Sequence, residues 1–125
     1  MEAIEGNKII AEWMGATFNA ENSRWTFPIQ PTSYYRDDAT HVTLRYDSDW
    51  NWIMPVVEKI QSIDITPAPN YKGYRIEIVV GGYVKINGFP MPPIFINVSV
   101  EGNLITAIWK AVVSFIEWHN NLKKV

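Results

Sequence analysis

The sequence predicts an α+β fold: an antiparallel sheet of three main strands, with one or two extra edge strands, and three helices covering one face. Three observations predict it. Apolar residues recur at helical spacing near the start, in the middle and near the end of the chain, and the central region alternates apolar with polar residues. The connections inside that central region carry Gly and Pro turn signals, which suit antiparallel pairing. At 125 residues the chain is expected to form a single domain, 1–125, large enough to bury about two thirds of the surface it exposes when unfolded.

The first helix is expected over 7–14, with Ile9, Ile10, Trp13 and Met14 inward and Gly15 ending it. From Ala16 to Thr40 the pattern weakens. Trp25, Phe27 and Ile29 alternate as in a short strand, which Pro28 would confine to an edge, and a second weak strand is expected over 41–46 with Val42 and Leu44 on one side. The segment 46–60 carries the best-defined helix. Trp50, Ile53, Met54, Val57 and Ile60 form its apolar stripe, Ser48 is placed to cap its start, and Asp47 and Asp49 put negative charge at the positive end of its dipole. Pro55 has no N–H for the carbonyl of Asn51, so a bend is expected there.

Pro67-Ala-Pro-Asn70 leads into the clearest strand, where Tyr74, Ile76, Ile78 and Val80 alternate with Arg75 and Glu77. Gly81-Gly82 signals a hairpin into a strand carrying Val84 and Ile86. Burial selects an odd-length loop, Gly81 to Tyr83, which sets Val80 opposite Val84 and Ile78 opposite Ile86, or an equivalent bulge. After the proline-rich connection 87–93, Ile94, Ile96, Val98 and Val100 form one face of a third strand. Gly102-Asn103 opens the last helix, whose wide apolar face holds Ile105, Ile108, Val112, Phe115 and Ile116 together with Leu104, Ala111 and Trp118.

Three of these stretches, Asn7-Lys-Ile-Ile-Ala-Glu-Trp-Met-Gly15, the 46–60 segment and the late helix from Ala107 to His119, resemble small phage and prophage proteins that contain the phage α-β-α sandwich domain. The likeness spans most of the chain through structural patterns. It implies a mobile-element origin and, as an alternative architecture, a three-layer α/β/α sandwich. It implies no catalytic site.

Eleven basic against thirteen acidic side chains leave a formal charge of -2, so no global field draws the protein to nucleic acid or an anionic membrane. The absence of cysteine excludes disulfides and thiol chemistry. No apolar run approaches the roughly 18 residues of a spanning helix, so no membrane partner and a cytoplasmic location are expected.

Neither a metal site, a cofactor site nor a catalytic set is expected. Asp47 and Asp49, even joined by Asp37 and Asp38, read as a capped helix start and a solvated loop rather than a cation site. His41 and His119 have no neighbouring triad or metal pattern, and His119 suits the negative end of the last helix. The expected function is non-catalytic binding of a host or phage protein through Tyr34, Tyr35 and Arg36, with Trp52 nearby, because aromatic and arginine side chains dominate interface energetics. The competing expectation is nucleic-acid binding on the open sheet face by Arg75, Tyr83, Lys85 and Phe95.

Overall fold

The computed structural model describes residues 2–28, 39–63, 75–78, 82–88 and 94–122. Along the chain run α1 (Ala3–Trp13), β1 (Thr17–Asn19), β2 (Arg24–Thr26), a 3-10 turn (His41–Thr43), α2 (Trp50–Ser62), β3 (Arg75–Ile78), β4 (Tyr83–Gly88), β5 (Ile94–Ser99) and α3 (Leu104–Leu122). Strands β3, β4 and β5 form an antiparallel sheet in that order, and β1 pairs with β2 in a separate antiparallel ribbon. This is the expected α+β class. Val84 and Ile86 are fully buried, and Ile76, Ile96 and Val98 pack beside them on the face that α3 and α2 cover, with α1 laid against α3. On the other face Asn97 and Ser99 are exposed, so the described residues build two layers there rather than the three of a sandwich.

Helix α1 begins four residues earlier than its apolar pattern suggests. It ends as expected: Gly15 adopts φ +92°, its N–H bonds the carbonyl of Glu12, and the N–H of Ala16 reaches the carbonyl of Ala11. That pair of bonds satisfies the last turn and requires a left-handed residue at Gly15. Lys59 completes the end by donating from Nζ to the carbonyl of Trp13 at 2.7 Å, with its ammonium 4.2 Å from the centre of the Trp13 ring.

The weak 16–46 region departs most from expectation. Phe18 pairs with Trp25 across the β1–β2 ribbon, and side-chain oxygens of Asn19 and Asn22 accept from the backbone N–H groups of Glu21 and Arg24, which turns the chain between the two strands. Ile29 lies outside the described residues. The strand expected over 41–46 is instead a single 3-10 turn, because the Thr43 hydroxyl accepts from the Thr40 N–H at 2.7 Å and diverts the backbone into a local bond. Val42 is consequently 73% exposed while Leu44 is buried.

Helix α2 is capped by Asp49, whose Oδ1 accepts from the N–H of Asn51 at 2.9 Å, and not by Ser48. It continues through Pro55 as one helix. Its buried stripe is Trp52, Ile53, Val56, Val57 and Ile60, leaving Trp50 and Met54 at the surface, 44% and 38% exposed. The helix is therefore rotated from its expected phase. Edge-to-face contacts of Trp52 with Phe27 at 5.9 Å and Tyr46 at 5.1 Å, between ring centres, fix that rotation.

In the sheet, Ile78 pairs with Val84 and Ile76 with Ile86. Ile78 and Ile86 share a face as expected, but the register is two residues from the expected one. Tyr74, Val80 and Gly81 lie outside the described residues. Between β4 and β5, Val84 faces Val98 and Ile86 faces Ile96, which aligns the buried side chains in rows beneath α3.

Helix α3 starts at Asn103, whose Oδ1 accepts from both the backbone N–H and the hydroxyl of Thr106. Ile105, Ile108, Val112, Phe115 and Ile116 are buried as the pattern requires, and Trp109 joins them. The Trp109 indole N–H donates to Asn7 Oδ1 at 2.9 Å. Asn7 is 3% exposed, and its Nδ2 donates to the carbonyl of Leu44 at 3.1 Å and to Asp47 Oδ1 at 2.8 Å. One amide thus joins α1, α3 and the segment entering α2, with its donors and its acceptor all engaged. Gly6 makes room for this contact: a Cβ there would sit against Trp109 Cζ2 and 2.8 Å from Cη2.

Candidate interaction surface

Asp47, Asp49, His41 and His119 each make a structural contact. Asp47 receives Asn7 and Asp49 caps α2. Asp37 and Asp38 lie outside the described residues. His41 stacks on Phe18 with ring centres 4.2 Å apart, and its Nδ1 accepts the Trp25 indole N–H at 3.0 Å. His119 makes a similar pair of contacts, stacking on Phe115 and facing the Trp13 indole N–H through Nδ1 at 3.4 Å. It lies, as expected, in the last turn of α3, and also belongs to an aromatic cluster there.

Tyr34, Tyr35 and Arg36 lie outside the described residues. Trp52 is 6% exposed, packed between Phe27 and Tyr46. Its expected place on a partner-facing surface is corrected, because the phase of α2 turns it inward. On the polar face of the sheet, Tyr83 and Lys85 are half-buried, and Lys85 Nζ lies 3.5 Å from Glu77 Oε2 directly across the strand pair. The carboxylate offsets the one described lysine that a phosphate would need on this face. The side chains of Arg75 and Phe95 lie outside the described residues.

A different surface emerges along the outer side of β5. The N–H of Val100 donates to the carbonyl of Gly82 at 2.9 Å, which sets the phase of the β4–β5 ladder. Alternate residues Val98 and Ile96 therefore turn their backbone groups toward β4, and Asn97 and Ser99 turn theirs outward. Among the described residues no strand lies beyond that edge. Next to it runs a groove of about 500 Å³ between β5 and α3. Asn97, Val98, Ser99 and Glu101 line it from the strand side and Lys110, Ser114 and Glu117 from α3, with the almost fully buried Trp109 and Val113 behind them.

Edge strands in native proteins are commonly blunted by charge, proline or cover. Strand β3 carries Arg75 and Glu77, whereas β5 reads Ile-Phe-Ile-Asn-Val-Ser with no charge and no proline. Its outward amides and carbonyls can pair with another extended backbone, and the adjacent groove can receive side chains. The sequence contains the clue, since one of two edge strands lacks charge, but β5 is recognisable as an edge only once the strand order is known. Together the fold and this surface define a small α+β domain in which, among the described residues, no strand pairs with the outer edge of β5. Comparison with family models, curated proteins and solved structures gives no match.

Proposed function

We propose that this protein is a non-catalytic interaction module, an accessory protein of the phage-related kind its sequence resembles, which binds a protein of host or phage origin. The observation that supports this reading best is the outward-facing backbone of Asn97 and Ser99 beside the β5–α3 groove. An extended segment placed there gains main-chain hydrogen bonds from β5 and side-chain contacts from Val98 and the exposed Lys110, Ser114 and Glu117. The structural roles of Asp47, Asp49, His41 and His119 support the non-catalytic part. Nucleic-acid binding is the weaker reading, because Glu77 sits against Lys85 and the formal charge is -2.

The test is substitution of the edge. Ser99→Pro removes an outward donor without touching the β4 ladder, so the variant is expected to stay folded. It should lose at least about tenfold in affinity for a protein partner that the parent captures and that is then purified and titrated directly. Unchanged affinity refutes the assignment of binding to this edge. A gel shift that weakens steeply with salt, seen with the parent on DNA or RNA, would favour the nucleic-acid reading instead.

A further inference from the structure

We infer that the partner seated on the β5–α3 groove is a second copy of this chain, joined edge to edge about a two-fold axis. The inference rests on reading that groove as a protein-binding surface. A two-fold interface requires one patch to complement itself, so that each charge meets its opposite across the axis. On α3, Lys110, Val113, Ser114 and Glu117 follow one another at i, i+3, i+4 and i+7 and therefore share one stripe, which opens on the groove. Lys110 and Glu117 are both exposed and stand at equal distance from the Val113–Ser114 midpoint. Two α3 helices antiparallel about that midpoint place each Lys110 beside the other copy's Glu117, with the small Ser114 side chains at the closest approach.

The strand below is compatible with the same axis. Antiparallel pairing of two β5 strands centred on Val98 sets Asn97 of one copy against Ser99 of the other. These are the residues whose N–H and C=O groups point outward, so each pair can exchange two hydrogen bonds. The layers agree in spacing as well. Helix α3 rests on both β4 and β5, so two strands about 4.8 Å apart bring the helices above them near the 8–10 Å of ordinary helix packing. The uncharged composition of β5 fits a strand that is covered in the assembled protein.

Sedimentation velocity across micromolar to millimolar concentration tests the assembly, with circular dichroism to verify folding. The parent is expected to dimerise. Lys110→Glu and Glu117→Lys should each weaken the dimer by at least about tenfold, because each sets like charges against one another twice. The double exchange Lys110→Glu with Glu117→Lys should restore it. Ser114→Arg, which places bulk on the axis, should give a folded monomer. A parent that sediments as a monomer throughout, single variants that dimerise like the parent, or a double exchange that stays monomeric would each overturn the inference. Its failure is separable from failure of the interaction reading: a monomeric parent that binds another purified protein, and loses it on Ser99→Pro, overturns only the second copy. A monomer with no such edge-dependent binding overturns both.

Discussion

Replacing Asn7 by alanine tests the central polar junction of the fold. The substitution removes three hydrogen bonds, those to Trp109 Nε1, the Leu44 carbonyl and Asp47 Oδ1. Each contributes about 1 kcal/mol net, and the Trp109 N–H, now stranded in the core, adds an uncompensated desolvation cost of about 1 kcal/mol. The better helix propensity of alanine returns about 0.6 kcal/mol. Asp47 is half-buried and can turn toward water, which softens its share. The expected loss is about 3 kcal/mol, a large fraction of the roughly 5–15 kcal/mol that holds a domain folded. Urea unfolding followed by tryptophan fluorescence measures it. A cycle with Trp109→Phe isolates the shared bond, because in the double variant neither the indole N–H nor the amide oxygen is left alone, and a coupling of about 1 to 2 kcal/mol is expected. A single-variant loss below about 1 kcal/mol, or additivity within about 0.5 kcal/mol, would refute the account of Asn7 as a junction.

Three further substitutions probe the packing and the caps. Gly6→Ala adds helix propensity but drives a methyl into the Trp109 ring, and should destabilise by about 1 to 3 kcal/mol; a thermal midpoint equal to the parent's would show that the ring gives way freely. Phe115→Ala empties a fully buried site beneath α3 and should cost about 3 to 5 kcal/mol in chemical denaturation, and a loss below about 1 kcal/mol would mean that the site collapses without a cavity. Asp49→Ala should cost about 1 kcal/mol while Ser48→Ala stays within about 0.5 kcal/mol, and the reverse order would return the cap of α2 to Ser48.

Some of this architecture was legible in the sequence because local physics decides it. Gly15 follows the periodic run of α1 and takes the left-handed conformation that ends it, and the alternation of Ile76, Val84, Ile86, Ile96 and Val98 sets which side of each strand is buried. The phase of α2 was not so determined. Ile53, Val57 and Ile60 belong to both candidate stripes, and only contacts with Phe27 and Tyr46 select Trp52 over Trp50 and Met54. Parity in the β3–β4 pair follows from burial, but a shift of two residues keeps every side chain on its face, so pattern alone permits both registers. Gly6 was a usable signal. A glycine inside a helix costs about 1 kcal/mol relative to alanine and points to a close neighbour, yet that neighbour, Trp109, is remote in sequence. The open edge of β5 was invisible for a related reason: edge status belongs to strand order, not to a strand's own residues.

The long reach of the α1–α3 junction also sets an order of events during synthesis. The Trp109–Asn7 bond spans 102 positions and the Trp13–His119 contact 106. At 11 residues, α1 is too short to persist alone in water. It leaves the ribosome well before α3, the wall that will hold it. At about 5 to 20 residues per second that interval is roughly 5 to 20 s, during which Ile10, Ala11 and Trp13 have no α3 to cover them. The α1–α3 junction can therefore close only after α3 has been made, so its apolar side is the last part of the core to be covered.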